Sequence, residues 1–156
     1  MIKAIAIDDE PPALHVLSTF CSKLESFNLL STFTATGDAF DYLTNTPVDL
    51  LFLDINMPSI SGIDFYKKLF QKPMVIFTTA YSEFAIEGFN VKAIDYLLKP
   101  FTFQRFASAV EKANEYNSLL QIVKKSEPEY LVLRIDYKLQ KLTCQIFFTY
   151  RVLTTT

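Results

Sequence analysis

Glycine is scarce in this chain. Gly37, Gly62 and Gly88 are all that 156 residues contain, where average usage of about 7% would supply roughly eleven. They stand too far apart for a G-x-G-x-x-G fingerprint or a G-x-x-x-x-G-K-[ST] loop, which excludes nucleotide binding through a glycine cradle. Tryptophan is absent and His15 is the single histidine. Multi-histidine metal sites are therefore excluded, and a Ser-His-Asp triad has one candidate. The two cysteines, Cys21 and Cys144, lie far apart in apolar contexts with no C-x-x-C pair, and read as buried free thiols of a reducing compartment. No apolar run approaches the roughly 20 residues of a membrane span. The opening MIKAIAIDDE lacks the features of a signal peptide, so no membrane association and a cytoplasmic location are expected.

What is present is apolar mass. Half of the residues are hydrophobic and 15% are aromatic, with fifteen Phe, enough for one good core and a poor composition for disorder. The net charge of −2 hides an asymmetry. Residues 1–118 hold 14 Asp/Glu against 9 Lys/Arg, and residues 119–156 hold 3 against 6. The first part is too acidic to favour nucleic acid by bulk electrostatics. The excess in the second part is small and reads as a solvated surface, and Lys124 and Lys125 as a solvated helix end.

Apolar runs alternate with amphipathic stretches. Ile2 to Ile7 reads as a buried strand, followed by Pro11 and Pro12, which a first helical turn tolerates. Leu14, Leu17, Cys21 and Leu24 then recur at helical spacing. Phe27 to Phe33 is a second strand and Thr36 to Leu43 a short helix. Leu50 to Leu53 forms a third strand, stopped by Asp54. Phe65, Leu69 and Phe70 mark a helix after Gly62. Met74 to Phe77 makes a fourth strand, followed by a helix led by Ser82 that carries Phe84, Ala85 and Phe89. Ala93 to Leu98 gives a fifth strand. Thr102 caps a helix in which Phe103, Phe106, Ala107, Val110 and Ala113 hold the 3.6-residue period, continued by Tyr116, Leu119, Leu120 and Val123. Strands with continuous apolar runs, each followed by a helix, predict a doubly wound parallel α/β sheet covered on both faces. Beyond Pro128 the pattern turns to alternation at Leu131, Leu133 and Ile135, with a second strand possible over 139–148. These 28 residues fall below the roughly 40 of an independent core, a short β-rich tail that looks like the opening of a second domain.

In a parallel sheet the carboxyl ends of the strands share one edge, and ligands bind there. The first strand ends in Asp8-Asp9-Glu10, the third in Asp54, the fourth in Thr78-Thr79-Ala80 and the fifth in Lys99-Pro100. Each has a plain structural reading: Asp9 as a helix cap, Asp54 as a loop residue, Thr79 as a turn, Lys99 as a solvated cation. Gathered together they need another explanation. Two carboxylates about 5 Å apart at an effective dielectric of 20 repel by roughly 3 kcal/mol. A hard divalent cation compensates, and oxygen ligands with retained waters describe Mg²⁺. Carboxylates, a divalent metal, a hydroxyl and a lysine suit receipt of a phosphoryl group. Asp54 is the expected nucleophile, forming an acyl phosphate. Asp8 and Asp9 would hold Mg²⁺ with the Asn56 carbonyl completing the shell, while Lys99 and Thr79 meet the phosphoryl oxygens.

These residues resemble a family. Asp8-Asp9-Glu10-Pro11-Pro12, Asp54-Ile55-Asn56-Met57-Pro58 with Gly62, Thr78-Thr79-Ala80, and Tyr96-Leu97-Leu98-Lys99-Pro100-Phe101 are similar to the receiver domain of two-component response regulators, in order and spacing across residues 1 to about 120. Asp9-Glu10-Pro11-Pro12-Ala13, Phe77-Thr78-Thr79-Ala80-Tyr81 and Ala93-Ile94-Asp95-Tyr96 resemble its LytTR (LytR/AlgR-type) subfamily, whose members usually carry a C-terminal DNA-binding domain. The tail from Tyr130 to Leu142 resembles the first strands of that domain, and Thr143 to Thr156 departs from the pattern. A shift of reading frame, an artificial boundary and a natural truncation each account for that departure and stay open.

The resemblance implies a flavodoxin-like sheet of order 2-1-3-4-5. It also implies a receiver over 1–118, a helical extension over 119–128, and a partial LytTR start over 129–156 that is aberrant after about 142. Asp54 is the implied phosphoacceptor, served by a sensor histidine kinase. Asp8, Asp9, Asp54 and the Asn56 carbonyl are the implied Mg²⁺ ligands, with Thr79, the Ala80 backbone and Lys99 as phosphate contacts. Thr79 and Tyr96 are the implied switch residues, with Tyr96 equally readable as a core aromatic. The face of the Ser82-led helix, the fifth strand and the helix after Thr102 is an implied homodimer surface. No enzymatic turnover beyond self-catalysed phosphoryl acceptance and slow autodephosphorylation is expected, and DNA binding belongs to the full-length parent, weak or absent here. The alternative is an aspartate-nucleophile, Mg²⁺-dependent phosphatase, although such enzymes carry a D-x-D-x-[TV] pattern where this chain has Asp8-Asp9-Glu10-Pro11. Gly62, inside a matched motif, is expected to supply backbone freedom for the turn after the acceptor loop. His15 reads as a surface or partly buried histidine.

Overall fold

A computed structural model describes residues 1–25, 27–81, 91–126, 130–135 and 138–143. The order is β1 (Ile2–Ile7), α1 (Pro11–Cys21), β2 (Phe27–Phe33), α2 (Thr36–Asn45), β3 (Leu50–Asp54), α3 (Gly62–Lys68), β4 (Met74–Thr79), β5 (Asp95–Leu98) and α4 (Phe103–Ser126), then β6 (Tyr130–Ile135) and β7 (Lys138–Thr143). The helix expected from Ser82 and the thiol of Cys144 lie outside the described residues.

Strands β1 to β5 form one parallel sheet in the order β2-β1-β3-β4-β5, the doubly wound arrangement read from the pattern of apolar runs. Alternate strand residues feed two cores because successive side chains leave a strand on opposite faces. Ala4, Ala6, Leu50, Phe52, Ile76 and Leu97 pack on one face with Leu14 and Leu17 of α1 and Phe106 and Val110 of α4. Ile5, Ile7, Leu51, Leu53, Val75 and Phe77 pack on the other with Ala39 of α2 and Ile63 and Phe65 of α3. Burial on both faces explains why the strands read as unbroken apolar runs.

Local signals set most helix ends. Pro11 and Pro12 open α1. Ser61 caps α3 by accepting from the Asp64 N–H at 3.1 Å. Thr102 accepts from the Arg105 N–H at 3.2 Å at the start of α4. One expectation fails: α3 ends at Lys68, so Phe70 lies in the turn before β4 rather than on a buried helix face, and its side chain is 95% exposed.

The chain divides into two compact units, Met1–Tyr116 and Asn117–Thr156. Within the second, β6 and β7 form an antiparallel hairpin that pairs Tyr130 with Thr143 and Ile135 with Lys138. β7 begins one residue earlier than the sequence suggests, and the expected residues 144–148 lie outside the described residues. No helix among the described residues is long and apolar enough to cross a membrane.

Candidate functional site

Strand register assembles the site. Asp54 pairs with Thr78, and Thr79 with Leu98, so the ends of β3, β4 and β5 are level. The Ile55 N–H donates to the Thr78 carbonyl at 2.9 Å and the Lys99 N–H to the Thr79 carbonyl at 2.7 Å, carrying the ladder one step past each strand. On the other side of β3, the Asp8 N–H donates to Phe33 of β2 at 3.1 Å. Asp8, Asp54, Thr79 and Lys99 are thereby brought to one edge.

The carboxylates converge. Asp8, Asp9 and Asp54 each offer an oxygen, and these atoms lie within 4.8 Å of one another. Asp8 is fully buried, Asp54 is 3% exposed and Asp9 is half-buried. Lys99 reaches into the cluster, its Nζ 2.7 Å from Oδ2 of Asp8, 2.8 Å from Oδ1 of Asp54 and 3.5 Å from Oε2 of Glu10. Asp54 is therefore the buried end of a strand rather than a loop residue, and Lys99 is an ion-pair hub rather than a solvated cation. The plain readings of both are overturned.

Charge shifts follow from this packing. Burial pushes the Asp8 carboxyl above its ordinary value, helped by the neighbouring Asp54 charge and opposed by the Lys99 ammonium. For Lys99, burial works against the ammonium, but the carboxylates of Asp54 and Asp8 outweigh it and raise its pKa. The lysine thus supplies in situ part of the compensation that the repulsion argument assigned to a metal. Oδ2 of Asp8 is held by the Lys99 ammonium at 2.7 Å. Three carboxylates that each bring an oxygen within 4.8 Å of the others are an all-oxygen donor set that fits a hard divalent cation. Asp9 leaves the cap position of α1 to Glu10, whose N–H donates to Oδ1 of Asp8 at 3.1 Å.

The remaining predicted residues are close in the chain and differ in surroundings. Asn56 is exposed two residues beyond Asp54, and Ala80 is exposed just past β4. The Thr79 hydroxyl accepts from the Tyr81 N–H at 3.1 Å, so its turn reading holds in this state. Tyr96 stacks on Phe77 at 5.5 Å with an interplanar angle of 18°. Its hydroxyl is buried without a hydrogen-bond partner among the described residues, and burial raises its pKa. Cys21 is free and buried, and burial pushes its thiol up to about 12. His15 is exposed on α1, away from the strand tips.

Gly62 acts by close approach, not by backbone freedom. No described glycine has a positive φ. A Cβ at Gly62 would overlap the Asp54 carbonyl oxygen, and the Gly62 N–H donates to the Ile55 carbonyl at 2.8 Å to close the acceptor loop.

Sequence reasoning missed a second charged cluster. Arg105 of α4 grips Asp95 of β5 with two bonds, 2.9 and 2.7 Å, and donates a third to the Tyr96 carbonyl at 2.8 Å. Lys112 adds a bond to Asp95 at 2.8 Å. Burial favours the neutral acid here, but Arg105, Lys112 and the Tyr96 N–H outweigh it and hold the carboxyl at about 2. The spacing of Arg105 and Lys112, two turns apart on one helix face, was its available signal.

Comparison with known proteins agrees with this geometry. The chain is 36% identical over 142 residues to the sensory transduction protein LytR of Staphylococcus haemolyticus, covering 86% of the chain and 55% of that protein. It is 34% identical over 114 residues to the transcriptional regulatory protein YpdB of Escherichia coli, covering 71% and 47%. The chain thus spans about half the length of these relatives. Among solved structures, it superposes on the response regulatory domain of mrkE from Klebsiella pneumoniae with a TM-score of 0.67 at 31% identity, covering 74% of this chain and 97% of that one. It also matches TrrA of Thermotoga maritima, solved in complex with Mg(2+)-BeF, with a TM-score of 0.64 at 28% identity over 72% and 99%. The pattern of the response regulator receiver domain matches residues 4–111, a span that holds the five-stranded sheet and the whole carboxylate–lysine edge, and the chain belongs to that family.

Proposed function

We propose that this receiver accepts a phosphoryl group on Asp54 from the phosphohistidine of a sensor histidine kinase. The observation that carries the reading is Asp54 itself. A carboxylate 3% exposed at a strand end, with Lys99 at 2.8 Å and two further carboxylates within 4.8 Å, is a nucleophile set beside a fixed cation and an oxygen donor set for a metal. An oxygen of Asp54 attacks phosphorus, the P–N bond of the donor breaks, and the imidazole leaves with its electron pair and takes up a proton.

Asp8, Asp9, Asp54 and the Asn56 carbonyl would hold Mg²⁺, which when bound neutralises phosphoryl charge. The Mg(2+)-BeF complex of TrrA supports this assignment. Lys99 provides a fixed ammonium for one phosphoryl oxygen, and the Ala80 N–H a backbone donor. The Thr79 hydroxyl, which accepts from the Tyr81 N–H, would donate its own proton to another phosphoryl oxygen. Movement of Thr79 draws β4 and frees room for Tyr96, whose hydroxyl has no hydrogen-bond partner among the described residues. The predicted Ser82-led helix, β5 and α4 would then change as a face and serve homodimer contact.

Turnover is confined to self-catalysed acceptance and slow autodephosphorylation. The output is transcription, carried by the full-length protein in the cytoplasm; the likeness to the transcriptional regulatory protein YpdB supports the transcriptional part. This chain alone binds DNA weakly or not at all. The family match favours this reading over the phosphatase. The test is intact mass after incubation with Mg²⁺ and a small acyl-phosphate donor. One added phosphoryl group, lost in Asp54→Asn, is expected; an unmodified wild type overturns the proposal.

A further inference from the structure

The other end of the sheet carries a feature that phosphoryl chemistry does not use. Phe70, in the turn between α3 and β4, is 95% exposed, more than any other large apolar side chain among the described residues. It forms part of the wall of a groove of about 100 Å³ whose lining mixes apolar residues, Phe40 and Leu43 of α2 among them, with polar Thr44 and, in the turns after α2 and α3, Thr46 and Gln71. These turns precede β3 and β4, so the groove lies at the amino-terminal edge of the sheet, opposite Asp54. A projecting ring and the groove it helps to wall stand on one patch. The volume is of the order of the ~150 Å³ apolar cavity that takes up benzene, enough for much of one phenyl ring.

Charge on the two borders is complementary. α2 carries exposed Asp41 next to the groove-lining Phe40 and Thr44 on one side. The last turn of α3 carries exposed Lys67 and Lys68 on the other. Lys68 makes no ion pair among the described residues, and Lys67 only a loose one to Asp64 at 3.7 Å between exposed groups. A two-fold axis through such a patch sets each acidic border against the partner's basic border while each Phe70 enters the partner's groove.

We propose that this patch is a self-association site whose occupant is a second copy of the chain. Because it lies away from the strand tips, it leaves Asp54 open and does not depend on phosphorylation. An exposed aromatic on the wall of a partly apolar groove, with polar lining and charged side chains on the flanking helices, has the make-up of an interface anchor with a polar rim.

Sedimentation equilibrium of the unphosphorylated full chain, from low micromolar to near-millimolar concentration, tests it. A monomer–dimer equilibrium is expected. Phe70→Ser should weaken it by at least about tenfold, as loss of an anchor residue does, with the circular dichroism spectrum unchanged. Asp41→Lys and Lys68→Asp should each weaken it, and the double variant D41K/K68D should recover it. A wild type that stays monomeric throughout, or a dimer that Phe70→Ser leaves intact, overturns the proposal. Failure of the double variant to recover overturns the two-fold arrangement.

Discussion

At the scale of single residues, the acceptor edge depends on one ammonium holding two buried carboxylates. Lys99 is 16% exposed at its side chain, so removing its charge leaves Asp8 and Asp54 facing each other with little solvent. Breaking a fully buried pair costs about 3–5 kcal/mol. With partial exposure, Lys99→Met should cost about 2–3 kcal/mol in urea unfolding without metal. Adding Asp8→Asn should return part of that loss; no recovery would mean the cost lies in packing. The pH signs of the two partners agree in direction. Both pKa values are raised on folding, so each contribution is present below the unfolded value and lost as pH rises through the folded one. For Asp8 that window opens at 3.8 and extends upward; for Lys99 it opens at 10.5. Gly62 admits no side chain for steric reasons, and Gly62→Ala should lower stability by about 1–3 kcal/mol by overpacking against the Asp54 carbonyl. The same variant should slow formation of the phosphoryl adduct, measured by mass.

Between elements, Asp95, Arg105 and Lys112 fasten β5 to α4. The Arg105 bond to the Tyr96 carbonyl fixes the strand from which Tyr96 projects. The two cations are 41% and 53% exposed at their side chains, so solvent screens the cluster, and Asp95→Asn should cost about 1 kcal/mol at neutral pH. The Asp95 carboxyl is depressed from 3.8 to about 2. Its contribution is therefore present above the unfolded value and disappears as pH falls through that interval. Denaturation midpoints followed from neutral to strongly acidic pH should show this step in wild type and not in Asp95→Asn. Identical acid profiles would remove Asp95 from the account.

For the whole molecule, a ligand that binds the folded carboxylate edge and not the unfolded chain must stabilise the fold. At ten times its dissociation constant, Mg²⁺ should raise unfolding free energy by about 1.4 kcal/mol. The thermal midpoint of wild type should therefore climb with Mg²⁺ concentration, while Asp9→Asn, which removes one of three carboxylate charges, should shift much less. Equal shifts in both would place the ion elsewhere. The two cores that hold β3 between α1 and α4 on one side and α2 and α3 on the other keep this edge in register.

Much of this was legible in the residue string because the signals are local. Unbroken apolar runs mark strands buried on both faces, Pro11 and Thr102 open helices, and acidic or basic residues placed just after those runs mark one edge of a parallel sheet. Phe70 misled for the same reason: it continues a helical period, but the backbone leaves the helix at Leu69 and turns it into water. The sequence alone determined the fold class and the set Asp8, Asp9, Asp54, Thr79 and Lys99, since residue type and position after a strand need no long-range information. Only the tertiary structure decided that Lys99 neutralises Asp8 and Asp54, that Gly62 yields space to the Asp54 carbonyl, and that Arg105 grips Asp95. Those contacts are set by strand register and helix docking, where ångström distances between residues remote in the chain determine the sign of each interaction.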